Sequence, residues 1–123
     1  MMRRHVDTLV GDELDLAVAM ALGYSFVLGQ AGRGSWSSPS GDESGEYPSQ
    51  FMFHPTRDAN QLKKIIEDEK ISLIYIYALG MWSAYTLKNS GSKHGPDHMT
   101  AALRYFVYHK FGNEVDLPEV VTS

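Results

Sequence analysis

The chain has 123 residues, 43% hydrophobic and 21% charged, enough to bury one core and too few for two ordinary domains. Its formal net charge of −4 resides in residues 1–50, which hold three Lys/Arg against seven Asp/Glu, whereas residues 51–123 hold eight of each; the basic surplus of a general nucleic-acid binder is missing. With no cysteine, disulfides and thiolate metal centres are excluded, and no apolar run approaches the ~20 residues of a membrane-spanning helix.

The opening Met1-Met2-Arg3-Arg4-His5 is not followed by an apolar segment, so it does not read as a secretory signal. Residues 3–9 can form a short edge strand. Gly11-Asp12 opens a helix, with Asp12 as N-cap and Glu13 and Asp15 favouring its positive end. Leu14, Ala17, Val18, Ala21 and Leu22 form its apolar stripe and Gly23 its stop. A strand is predicted over 24–28. Residues 29–50 are dominated by Gly, Ser and Pro, which predicts a flexible surface loop. The competing reading is a lid with Arg33 and Trp36 as ligand contacts.

Ordered structure resumes at Phe51–His54. After a turn at Pro55, residues 60–69 favour a short helix, with Lys63 and Lys64 placed four residues before Glu67 and Asp68. Residues 71–78 and 81–87 read as a hairpin around Leu79-Gly80, the first strand apolar on both faces and therefore central. Lys88 to Pro96 is a loop. Asp97 then caps a two-faced helix with Met99, Leu103, Phe106, Val107 and Phe111 on one stripe and Arg104, Tyr105, Tyr108 and His109 largely on the other. Gly112 ends it and a short strand follows. The sum is a single α+β domain over 1–123: a small antiparallel sheet with a central hairpin, packed by two principal helices and one short helix.

Three blocks carry a family resemblance. The first is Val6-Asp-Thr-Leu-Val-Gly-Asp-Glu-Leu-Asp-Leu-Ala-Val-Ala19. The second is Phe53-His-Pro-Thr-Arg-Asp-Ala-Asn-Gln-Leu-Lys-Lys-Ile-Ile-Glu67. The third runs from Thr100-Ala-Ala-Leu-Arg104 to Gly112-Asn-Glu-Val-Asp-Leu-Pro118, with Trp82-Ser-Ala84 between the second and third. In this order they resemble the NinX-like phage proteins: a V-x-T-x-x-L-x-G-x-x-L-D-x-A-V-A opening, Y-S-P-S-T-D-W-A-Q-G-G-P-I-I-E, W-x-A, and A-A-M-R with L-G-D-E-V-x-V-P. The first block has one residue fewer before the glycine. Ala59 stands where the family has tryptophan, and Leu62-Lys63-Lys64 replace Gly-Gly-Pro. The resemblance implies a phage or prophage origin and the host bacterial cytoplasm. It carries no biochemical activity with it.

Two segments are candidates for ligand binding. His54, Thr56, Arg57, Asp58, Asn60 and Gln61 crowd donors and acceptors before a helix whose free N–H groups favour anions. The plain alternative is that Thr56 or Asp58 caps the helix and Arg57 pairs with an acid. Arg104, beside Tyr105 and Tyr108, offers a planar fork for phosphate or carboxylate next to rings that stack on a base; the alternative is an internal ion pair with tyrosines packed on the sheet. His94 and His98 flank Gly95-Pro96 and share no helical face, so no metal site is assigned. No Walker loop, nucleophile elbow or paired-carboxylate motif is present, so no catalytic residue or cofactor is assigned.

The resulting expectation is a non-enzymatic phage accessory protein that binds or sequesters a small anionic, nucleotide-like ligand, by analogy a sponge for host immune signalling nucleotides. Arg57 and Arg104 hold phosphates across one shared cavity, Tyr105, Tyr108 or Trp36 stack on the base, and Asp58, Asn60 and Gln61 read ribose or base edges. Two rivals stand beside it: a module docking on a host or phage protein through residues 29–50 and 117–123, and a nucleotide-hydrolysing enzyme. The apolar hairpin is compatible with a homo-oligomer.

Overall fold

The computed structural model describes residues 2–28, 33–88 and 91–118, with no side-chain description for Met2 and Leu28. Among these, three helices and eight strands alternate: β1 (Met2–His5), a 3-10 turn (Val6–Thr8), α1 (Gly11–Ala21), β2 (Ser25–Leu28), β3 (Gly34–Ser37), β4 (Ser44–Tyr47), α2 (Ala59–Glu69), β5 (Ser72–Ile76), β6 (Met81–Tyr85), β7 (Lys93–Gly95), α3 (His98–Phe111) and β8 (Glu114–Leu117). The fold is α+β, as expected. The strands form three small antiparallel sheets in place of the single predicted sheet: β1-β8, β2-β3-β4 and β5-β6-β7.

α3 is the centre of the molecule. It packs on β5, β6 and β7 on one side and on α1 on the other, with α2 and β8 also against it. Every residue from Thr100 to Val107 is buried. The face bearing Arg104 and Tyr105, expected to look outward, is therefore covered. α1 is treated alike: Leu14 to Ala19 are all buried, Asp15 included. α1 and α3 pack against each other, and both bury alanines and leucines. Asp97 caps α3 as predicted, accepting from the Thr100 N–H at 2.7 Å. Asp12 does not cap α1. The helix begins two residues earlier, its N-cap is Val10, and Asp12 lies in the first turn.

Two other expectations are corrected. β5 is an edge strand; β6 is central, because it pairs with both β5 and β7. Apolar content does not decide this. β6 carries the small buried residues Ser83 and Ala84 that let α3 lie against the sheet, while Ile74 on β5 is 51% exposed. The 29–50 segment is not a structureless loop: β3 and β4 lie within it, and only residues 29–32 of it fall outside the described chain. Its order comes from rings that the Gly/Ser composition hides. Trp36 lies opposite Phe26 on one side and Gly45 on the other. A Cβ at Gly45 would stand 2.9 Å from the Trp36 Nε1, so glycine makes room for the indole. Phe51 sits among Tyr24, Phe26, Trp36, Tyr47 and Phe53, with ring centroids 5.3 to 6.3 Å away. This aromatic layer supplies the apolar area that the segment's composition lacks.

Candidate functional site

The residues that converge are Asp12 and Asp15 of α1, the turn that leads into α2, and the aromatic wall. Asp15 is 2% exposed, in a helix turn that is otherwise apolar. Its two oxygens are taken by Thr56: Oδ1 accepts the backbone N–H at 2.8 Å and Oδ2 the hydroxyl at 2.7 Å. The L-D-x-A-V-A and P-T-R-D blocks, 41 residues apart, are thus joined at one carboxylate. Pro55 beside it is buried. Thr56, read as a ligand contact, is a structural anchor.

The rest of the turn is closed by its own side chains. Asp58 accepts from the N–H groups of Asn60 and Gln61 and caps α2. Gln61 reaches back, its Oε1 accepting the His54 N–H at 2.7 Å and its amide donating to the Met52 carbonyl. Asn60 is exposed. What remains open is His54 and Arg57. With Asp12, Asp15, Tyr47, Pro48, Ser49, Phe51 and Met52 they line a cavity of about 270 Å³. Arg57 Nη2 lies 3.0 Å from His54 Nδ1 and 3.3 Å from Asp12 Oδ1. A guanidinium only donates, so the Arg57 contact is a hydrogen bond when this Nδ1 accepts. The same Nδ1 lies 3.8 Å from Asp15 Oδ2.

Burial dominates the electrostatics. It raises the Asp15 carboxyl above its ordinary value, opposed by the two Thr56 hydrogen bonds and by His54 and Arg57. Burial, with Asp12 and Asp15 nearby, pushes the Tyr47 phenol up to about 12. A raised carboxyl binds protons more readily folded than unfolded. Its contribution to stability is therefore fully present below the ordinary carboxylate range and is lost as pH rises through the folded value. Asp15→Asn removes this term. Relative to the native chain, the variant should lose its deficit in stability as pH climbs from about 4. Urea titrations of both proteins across that range would show it, and parallel pH profiles would contradict it. Ligand atoms of Asp12, Asp15 and His54 lie within 4.8 Å of one another, as a metal site requires. Thr56 and Arg57 already engage them, so a cation there competes with both.

The other predicted residues do not join this group. Arg104 is 8% exposed and lines a separate cavity, so the two arginines do not share one. Its Nε and Nη1 donate to the carbonyls of Leu9 and His94, each at 3.0 Å. Tyr105 is buried and hydrogen-bonded to Thr86 at 3.0 Å. It lines a third cavity, about 500 Å³, between the end of α2, β5 and α3. Tyr108 lies beneath the Lys93 ammonium, 4.6 Å from its ring centroid. Trp36 belongs to the aromatic layer, and Arg33 is exposed just before β3. Sequence reading missed Asp12, Asp15, Tyr47 and Phe51 as site residues. For Asp15 a signal existed: an acid flanked by Leu14, Leu16 and Ala17 on a helix that needs to bury them.

The fold and site define a small α+β protein with a polar cleft, one wall of it aromatic. Residues 5–110 match the family model described as Bacteriophage P22, NinX, and the chain belongs to that family. No curated protein sequence matches it significantly. Among the described residues no helix is long and apolar enough to cross a membrane.

Proposed function

We propose that this phage protein binds a small nucleotide-like anion in the cavity between Asp12 and Arg57 and holds it without turnover, in the bacterial cytoplasm. One observation carries the reading: a loosely held guanidinium beside an imidazole, at a cavity with aromatic walls. The Arg57–Asp12 pair is exposed on both sides, 63% and 75% of the side chains. Such pairs contribute only ~0–1 kcal/mol, so a phosphate that matches the guanidinium fork displaces Asp12 at little cost. Asp12 is then free to accept from a base or ribose donor. Tyr47 and Phe51, buried behind the cavity, give a base an apolar edge to rest against. The volume lies just under the ~300–1,000 Å³ usual for small-molecule sites, which suits a single nucleotide unit. Asp15 is spent on Thr56, so it is a poor general base. Sequestration of a host signalling nucleotide is the biological form this activity takes, an argument by analogy with other small phage proteins.

Isothermal titration against linear and cyclic nucleotides tests the reading. One class should bind, and Arg57→Ala should weaken it about 10- to 100-fold while changing stability by no more than ~0.5 kcal/mol, since the side chain is exposed. A flat panel, or equal affinity in the variant, refutes it. Product in the recovered ligand would replace it by hydrolysis.

A second reading has its own support. Ile74, Tyr77 and Leu79 on and beside the turn of the β5–β6 hairpin are 51, 88 and 57% exposed. Apolar side chains gathered in this way mark interaction surfaces. Docking on a host or phage protein, or on a second copy, is the function this surface favours. Self-association by analytical ultracentrifugation, lost in Tyr77→Ser with Leu79→Ser, would support the second-copy form.

A further inference from the structure

Asp7, Met81, Ser92, Lys93, His94 and Arg104 line a cavity of about 290 Å³ that shares no residue with the Arg57 cavity. Arg104 is more than nine-tenths buried there. Of the five N–H groups of a guanidinium, two are committed to the carbonyls of Leu9 and His94, and Nη2 makes no hydrogen bond among the described residues. Asp7 and Asp97 act on Arg104 only through space, and burial outweighs them, lowering its pKa. The acid of this cavity, Asp7, is engaged by Lys93 at 3.3 Å. Lys93 is itself held by Asn113 at 3.2 Å, with its side chain 12% exposed. His94, on the same wall, keeps its Nδ1 buried without a partner. Arg104 and Lys93 thus flank the cavity together with Asp7, and Asp97 acts on Arg104 from outside it. Burying a cation is costly where nearby acids do not offset its lost hydration, and an anion bound beside it relieves that cost.

We propose that this cavity is an oxyanion site, taking the phosphate or carboxylate group of a small ligand on the Nη2 of Arg104, with the Ser92 hydroxyl as a further donor and the held Lys93 ammonium adding positive charge beside it. The site is independent of the nucleotide reading above. Arg104 serves both fold and ligand: its Nε ties the turn before α1 to α3, its Nη1 ties β7 to α3, and its Nη2 faces the anion.

The test uses the whole chain, titrated with inorganic phosphate and, separately, acetate, at ionic strength held constant with chloride. Amide shifts are followed by ¹H–¹⁵N NMR. Saturable shifts are expected at Asp7, Ser92, Lys93 and His94, in the native chain and in Arg57→Ala alike. Lys93→Gln and Arg104→Lys should each weaken binding at least tenfold. The tighter of the two anions names the ligand class. No saturation at these amides overturns the proposal, as does unchanged affinity in Lys93→Gln. A thermal shift that phosphate raises equally in native and Lys93→Gln protein also counts against it, because excluded salts stabilise any fold. Should both variants unfold, saturation at residues 92–94 of the native chain decides. A negative result here leaves the Arg57→Ala titration untouched.

Discussion

Asp15→Ala is expected to destabilise the protein by about 3 kcal/mol, with the Tm falling by roughly 10 °C or more. The carboxylate accepts two short hydrogen bonds from one residue, in a site only 2% exposed. Hydrogen bonds to charged groups contribute ~1.5–3 kcal/mol each, and truncation strands the Thr56 N–H inside the protein. Set against this is the desolvation that the charge itself suffers, the cause of its raised pKa. Asp15→Asn should therefore cost less than alanine. Its carbonyl still accepts the N–H, and the threonine hydroxyl can turn to accept from the new amide. Denaturant unfolding of the two variants is the measurement. If alanine costs no more than asparagine, the Thr56 anchor is not what holds the turn. The effect should also reach the candidate site, because His54 and Arg57 flank Thr56 in the chain and a freed turn would loosen the cavity that they line.

Gly95→Ala should cost about 2–3 kcal/mol, the upper part of the range for overpacking. A Cβ there would stand 2.7 Å from the Ala101 nitrogen, 3.0 Å from the Thr100 Cβ and 3.1 Å from its carbonyl carbon. Two of these atoms are backbone in the first turn of α3, which is pinned by the Asp97 cap, so neither can swing aside. Relief requires β7 to lift from the helix. That movement would also displace His94, whose carbonyl receives Arg104, and Lys93. Gly91, at φ 94° and in an open loop, makes a useful contrast. Gly91→Ala strains the backbone locally and meets only the Tyr108 ring, so β7 should stay in place. Chemical denaturation ranks the two. A Gly95→Ala protein as stable as the native chain would mean that the sheet and helix are less tightly packed than described.

Much of the fold was legible in local signals. Asp58 and Asp97 announce their helices, because an acceptor side chain satisfies N–H groups within three residues. Gly112, at φ 86°, closes α3 where the pattern placed the stop. The hairpin around Gly80 followed from two β-rich runs with a tight link, and β5 and β6 pair in that way. The family blocks were also readable, since they depend on residue order alone, and the match over residues 5–110 agrees with them. The candidate site was half legible. His54 and Arg57 were picked from their donor density, and they line the cavity. Thr56, Asp58 and Gln61 were picked for the same reason, yet their bonds hold the turn together. A polar side chain looks identical in sequence whether it faces a ligand or its own backbone.

Chain-local chemistry thus specified element types, caps and the α+β class, because those interactions close within a few residues. Burial and partnership were decided only by the packed molecule. α3 reads as two-faced, but α1 and the β5-β6-β7 sheet cover both faces, so Arg104 and Tyr105 are interior groups. Residues 33–50 read as loop because Gly and Ser outweigh their two rings, Trp36 and Tyr47, which meet Tyr24, Phe26 and Phe53 only around Phe51. Arg57 and Arg104 read alike, and the fold gives one to solvent and the other to two carbonyls in a separate cavity. The physical reason is common to all three. Contacts between residues 40 to 95 positions apart depend on how helices and sheets stack, and no window along the chain records that.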